Sequence, residues 1–200
     1  MNLQKWRDIL RRFSGAGVYP HELAFLLDTP LRHLMISPRQ LADRLHLSPY
    51  FNVLEIGPGP GFFSLEVARR IPNGRLALLD IQHQMLAKCT AKLARSAVKN
   101  YCAVQGSAEH LPFASQRFDA AFMVTVLGEV PQPRECLSEV RRLLQAGGLL
   151  SITEQSGDPD LLSPQVLQNM AADCGFVLEE RFSFRGGFTL NFRSAVPPSP

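Results

Sequence analysis

From residue 52 to residue 193 the chain alternates between short apolar runs and stretches with apolar residues at helical spacing. Strands are expected at 52–56, 75–80, 101–105, 119–124 and 149–154. Helices are expected at 61–71, 82–98, 133–144 and 164–174. Gly147-Gly148 closes the third of these helices and Gly175 the fourth. Strand–helix alternation repeated five times has few folding solutions. It implies a mainly parallel sheet covered by helices on both faces, an α/β doubly wound architecture. Residues 176–184 and 188–193 flank Gly186-Gly187 and read as a closing antiparallel hairpin, making seven strands.

Before residue 50 the pattern differs. Leu3, Trp6, Leu10 and Phe13 fall at helical spacing among Lys5, Arg7, Arg11 and Arg12. Ser14-Gly15-Ala16-Gly17 then breaks the chain, and 21–27 reads as a short helix. Ser37 followed by Pro38 gives an N-cap with proline at the first helical position, so a helix is expected over 39–45. The whole net charge of +3 sits in this region: residues 1–50 hold seven bases and four acids. The neutral remainder lacks the basic stripe that a nucleic-acid-coating protein needs. No run is apolar or long enough for a transmembrane helix, and the charged N-terminus does not read as a secretory signal. Cys89, Cys102, Cys136 and Cys174 match no metal or redox spacing, so no metal site is expected. Their low density points to a reducing, cytoplasmic setting and to small buried hydrophobes.

The most informative segment is Glu55-Ile56-Gly57-Pro58-Gly59-Pro60-Gly61. A strand empties into a loop with glycine at every second position, and a helix follows. Glycine lets the backbone turn sharply and lets a ligand approach where a Cβ would clash. In open α/β sheets that position, at the carboxyl end of a strand, is where ligands bind. A dinucleotide fingerprint needs a small residue one position beyond Gly61, and Phe62 stands there. Glu55 would also repel a pyrophosphate. It would attract a cation such as S-adenosylmethionine, which carries an ammonium and a sulfonium and no phosphate. Asp80, 23 residues after Gly57, ends the second strand, where an acid accepts the hydroxyls of a ribose. The competing view of Asp80 is a cap for the next helix.

With Asp80, the segment Val53-Leu54-Glu55-Ile56-Gly57-Pro58-Gly59-Pro60-Gly61 resembles the class I S-adenosylmethionine-dependent methyltransferases. So do residues 106–113, 117–122 and 141–150. The likeness covers roughly residues 50–155 and is greatest to the ubiquinone/menaquinone C-methyltransferase type. It implies a Rossmann-like fold, with residues 49–196 as the cofactor-binding domain and residues 1–48 as a helical lid or cap. It also implies roles. Glu55, Gly57, Gly59 and Gly61 would surround the methionine end of the cofactor, and Asp80 the ribose. Ile81 and Met85 would flank the base, and Ala108 would offer a backbone contact near it. The family often has an acid just before that alanine. Ser107 stands here instead, which leaves the adenine amino contact to Ser107 or Glu109. Val124 and Thr125 would lie beside the reactive methyl.

Methyl transfer needs alignment in a dry cleft, and a base only when the acceptor must lose a proton. Glu129, after the fourth strand, is the first candidate for that base. Tyr19 and His21 precede the core where related enzymes place a lid: Tyr19 is expected over the cofactor and His21 as a second base. Phe188, Leu190 and Phe192 alternate, giving the hairpin one apolar face, read first as cover for a neighbouring helix and second as a substrate wall. The function expected is methylation of a small, lipophilic molecule. The alternative is a non-catalytic S-adenosylmethionine-binding or scaffold protein with the same fold. Partners are a small-molecule substrate, no nucleic acid, and a peripheral membrane contact through residues 1–14.

Overall fold

The computed structural model describes Pro20 and residues 36–195. Tyr19, His21 and the two helices expected before residue 30 lie outside the described residues. The described part opens with helix α1, Pro38–Arg44. Its start is a reciprocal capping box. The Ser37 side chain accepts from the Gln40 amide at 3.1 Å, and the Gln40 side chain accepts from the Ser37 amide at 3.0 Å.

Seven strands follow: β1 (Asn52–Ile56), β2 (Arg75–Asp80), β3 (Tyr101–Gln105), β4 (Phe118–Val124), β5 (Leu144–Gln155), β6 (Phe176–Phe184) and β7 (Gly187–Ser194). They form one sheet in the order β3-β2-β1-β4-β5-β7-β6. Strands β1 to β5 pair in parallel. Strand β7 runs antiparallel to both neighbours, so β6 runs with the rest. The helices between are α2 (Ser64–Arg70), α3 (His83–Arg95), α4 (Pro133–Leu143) and α5 (Pro164–Asp173). The sequence order reverses between β1 and β4, which makes the crevice beyond their carboxyl ends the expected ligand position.

Parallel strands with near-continuous apolar runs must be covered on both faces, and two core clusters do this. One packs α4 and α5 against Leu54, Ile56, Leu150, Ile152, Phe188, Leu190 and Phe192. The apolar hairpin face is therefore helix cover, the first of its two readings. The other cluster packs α1, α2 and α3 against Val53, Leu76, Leu78, Phe122 and Leu149. Helix α1 is locked to the hairpin by Arg44, whose guanidinium lies 5.1 Å from the Phe182 and Phe184 ring centres and donates to Thr189 Oγ1 at 2.8 Å.

Helix α3 ends at Arg95, short of the expected 98, and two other boundaries differ for reasons the backbone shows. Helix α2 begins at Ser64 rather than at residue 61, because Gly61 has φ +82° and cannot enter a right-handed helix. Strand β5 begins at Leu144 directly after α4. Its register against β4 shifts between Phe118 and Ala120, and Gly147 with φ +72° carries the irregular stretch. Cys89 and Cys136 are fully buried, and Cys102 and Cys174 are half-buried.

Candidate cofactor site and the acidic strand ends

The glycine loop is held by close packing and by Asp80. Gly57 has φ +67°, and a Cβ there would stand 2.4 Å from Val126 Cγ2. The Gly57 amide donates to the Leu79 carbonyl at 2.8 Å, which moors the loop to β2. Gly61 packs closely on α3: a Cβ there would stand 2.8 Å from Cys89 Sγ. Asp80 Oδ2 accepts from the Gly59 amide at 3.3 Å, and Oδ1 from the Gln82 amide at 2.8 Å. Asp80 holds the entry to α3 without capping it, since the N-cap position is Gln82 and takes no side-chain bond. A carboxylate has about four acceptor sites, so both oxygens keep capacity for ribose hydroxyls.

Glu55 is 2% exposed on β1. The Ser64 hydroxyl donates to it, and the Cys89 thiol donates to Ser64 Oγ at 3.4 Å. Its other oxygen, Oε2, is buried without a partner. Burial, with a smaller push from Asp80, raises this carboxyl to about 8. A buried carboxyl with an orphaned oxygen beside a glycine loop suits a cationic group, whose arrival would supply both the missing donor and the missing charge. S-adenosylmethionine fits this chemistry at Glu55 and Asp80, and a pyrophosphate does not.

Ile81 follows Asp80 and is half exposed, an apolar platform where a base would stack. Met85, expected to flank the base with it, is 2% exposed and belongs to neither core cluster. Ala108 packs on the core beside α4. Glu109 is occupied otherwise than expected. Its Oε1 accepts from the Gln132 amide at the start of α4 at 2.9 Å, and its Oε2 from the Ser107 hydroxyl at 3.0 Å. The pair therefore ties the β3 loop to α4.

Strand β4 ends at Val124, and Thr125 beyond it has φ +53°. A β-branched residue in the left-handed region is strained, and such strain gathers at functional sites. Here the Thr125 amide donates to the Thr153 carbonyl at 2.9 Å and its hydroxyl to the Val124 carbonyl at 2.7 Å. Glu129 sits in a 3-10 turn, Leu127–Glu129.

One residue escaped the sequence reading. Glu154, near the carboxyl end of β5, is 1% exposed, and its Oε1 is buried without a partner. Burial raises it to about 8, helped by Asp158 and Glu129. The signal was an acid at a strand end, the same signal that marked Glu55. Among the described residues no group of His, Cys, Asp or Glu could hold a metal ion.

Comparisons with known proteins agree with this geometry. Residues 53–148 match the family model described as a methyltransferase domain. The ubiquinone/menaquinone biosynthesis C-methyltransferase of Haemophilus ducreyi is 36% identical over 106 residues, 52% of this chain and 41% of that protein. A 2-methyl-6-phytyl-1,4-hydroquinone methyltransferase of Oryza sativa is 30% identical over 97 residues, 48% of this chain and 28% of that protein. The chain thus spans less than half the length of these curated relatives. Among solved structures, a SAM-dependent methyltransferase from Aquifex aeolicus superposes with a TM-score of 0.84 at 19% identity, covering 89% of this chain and 100% of that one. Over residues 53–148, then, the chain is similar to a methyltransferase domain, and its fold is that of a SAM-dependent methyltransferase.

Proposed function

We propose that the protein transfers a methyl group from S-adenosylmethionine to a small, lipophilic acceptor. When bound, the cofactor supplies an electrophilic methyl on a positive sulfonium. Glu55 receives the ammonium on its open oxygen, Asp80 the ribose hydroxyls, and Ile81 the face of the base. The orphaned Oε2 of Glu55 carries this reading: a buried acceptor without a donor, with no cationic side chain among the described residues that shift it. The small lipophilic acceptor is inferred from the relatives, which are named for quinone-type substrates. We propose that the segment before α1 serves as the lid over this site, with Tyr19 acting on the cofactor and His21 as a second base. Residues 1–14 would rest on an anionic membrane surface.

Calorimetry tests the cofactor site. Asp80→Ala should weaken S-adenosylmethionine binding by about 10- to 100-fold, since hydrogen bonds to a charged group contribute roughly 1.5–3 kcal/mol. Unchanged affinity would refute the assignment. Formation of S-adenosylhomocysteine with an acceptor panel separates an enzyme from a binding or scaffold protein.

A further inference from the structure

The strip of β5 and β7 on the α1 side of the sheet is polar, where the strands beside it are apolar. Ser151, Thr153 and Gln155 alternate along β5, and Asn191 and Thr189 oppose the first two on β7. None of the five is more than 7% exposed. Glu55 aligns with Phe122 of β4, which aligns with Ser151, so the strip shares a sheet face with Glu55. It also runs into the crevice. Thr153 is level with Val124, the last residue of β4, and Gln155 lies two residues beyond.

Buried polar groups are as a rule satisfied, and several of these are not. Thr153 Oγ1 and Thr189 Oγ1 stand 2.8 Å apart, and Arg44 donates to Thr189. Two hydroxyls that share one bond leave one proton over. Gln155 Nε2 is buried without a partner, and its residue lies diagonal to Thr189, within reach for a long side chain. One row deeper, Ser151 Oγ and Asn191 Oδ1 are unpartnered too. Arg44 adds a fixed positive charge. Its guanidinium has five N–H groups, and Thr189 takes one of them. Phe182 and Phe184 lie against it, and burial alone, with no acid among the causes, lowers its pKa. The nearby hairpin acid, Glu180, pairs with His46 and accepts from Asn191 instead. Spare donors around a cation that has no counter-ion suit an oxyanion.

We propose that this strip binds an oxyanion of the methyl acceptor, a carboxylate or phosphate carried on its lipophilic body. This rests on the methyl-transfer reading. Strand β7 lies two places from β4, so the oxyanion sits roughly 10 Å across the sheet from the end of β4. The face is thereby divided by charge. Glu55 takes the ammonium of the donor at one end, and Arg44 takes the anion of the acceptor at the other. A cationic acceptor would be repelled by Arg44, and a neutral one would leave its donors unpaired.

The test compares 2-naphthoate, 2-naphthylmethanol and 2-naphthylmethylamine as ligands of the full chain, by fluorescence titration. The wild type should bind the naphthoate about 10-fold more tightly than the alcohol or the amine. Arg44→Met keeps the apolar stem and should bind naphthoate and alcohol alike. Gln155→Leu should also narrow the preference, and it decides alone if Arg44→Met fails to fold. The ratio of two affinities within one protein does not depend on how much of it is folded. Saturating S-adenosylhomocysteine should leave naphthoate affinity within about twofold, since the two ligands take different ends of the face. A wild type that prefers the alcohol or the amine, or binds none of the three, overturns the proposal. So does a folded variant that keeps the full preference, or competition between naphthoate and S-adenosylhomocysteine. Failure of the wild type to bind S-adenosylmethionine would instead overturn the methyl-transfer reading, and the naphthoate preference would stand apart from it.

Discussion

Glu55 carries the pH behaviour of the cofactor site. Its carboxyl is raised to about 8, so in the unliganded protein it holds a proton at neutral pH. A bound ammonium needs the ionised form. S-adenosylmethionine affinity should therefore rise as pH goes from about 6.5 to about 8, with proton release, and fall above that as the free ligand's own ammonium loses its proton. Glu55→Gln should bind more weakly and lose that slope, which calorimetry in two buffers would read. Stability runs the other way. Between the ordinary carboxylate range and about 8, the native chain keeps protons on Glu55 and Glu154 that the unfolded chain has released. Unliganded stability thus falls as pH rises through that window. That Glu55, the glycine loop and Asp80 gather in one place was legible, because their spacing announces it. Glu154 was not, because its state depends on Glu129 and Asp158, which the fold brings together. The tie of Glu109 to Ser107 and Gln132 is of the same kind. Whether a side chain faces a ligand, a helix end or the interior is decided by neighbours distant in sequence.

At the scale of elements, the strands were legible almost to the residue, since β2 and β3 begin and end where their apolar runs do. Two of the boundaries that slipped did so through glycine conformation. Gly61 delays α2, and Gly147 lets β5 start early and kink. The loop after β1 and the turn after β4 meet at Gly57 and Val126, which gives an element-scale prediction. Gly57→Ala should destabilise the chain by about 2–4 kcal/mol in urea unfolding, from a clash with Val126 and a left-handed φ. Adding Val126→Ala should restore the packing share and leave roughly 1–2 kcal/mol of backbone strain. Full recovery in the double variant would place the cost in packing alone.

For the whole molecule, charge and acidity are divided. The crevice is edged by acids on β1, β2 and β5, while the net positive charge belongs to residues 1–50. Co-sedimentation with anionic vesicles should pellet the full chain more than a chain starting at Gly15, and less so as salt is raised. Equal pelleting would remove the membrane contact. The order of the sheet has a separate consequence, for the timing of assembly. Strand β7 is made last and lies inside the sheet, between β5 and β6. Strand β6 pairs with β7 alone, so it has no place to dock while β7 is missing. As the chain leaves the ribosome, the outer edge of β5, next to Glu154, therefore stays open until the last strand emerges. That side of the crevice closes only after all six other strands have been made.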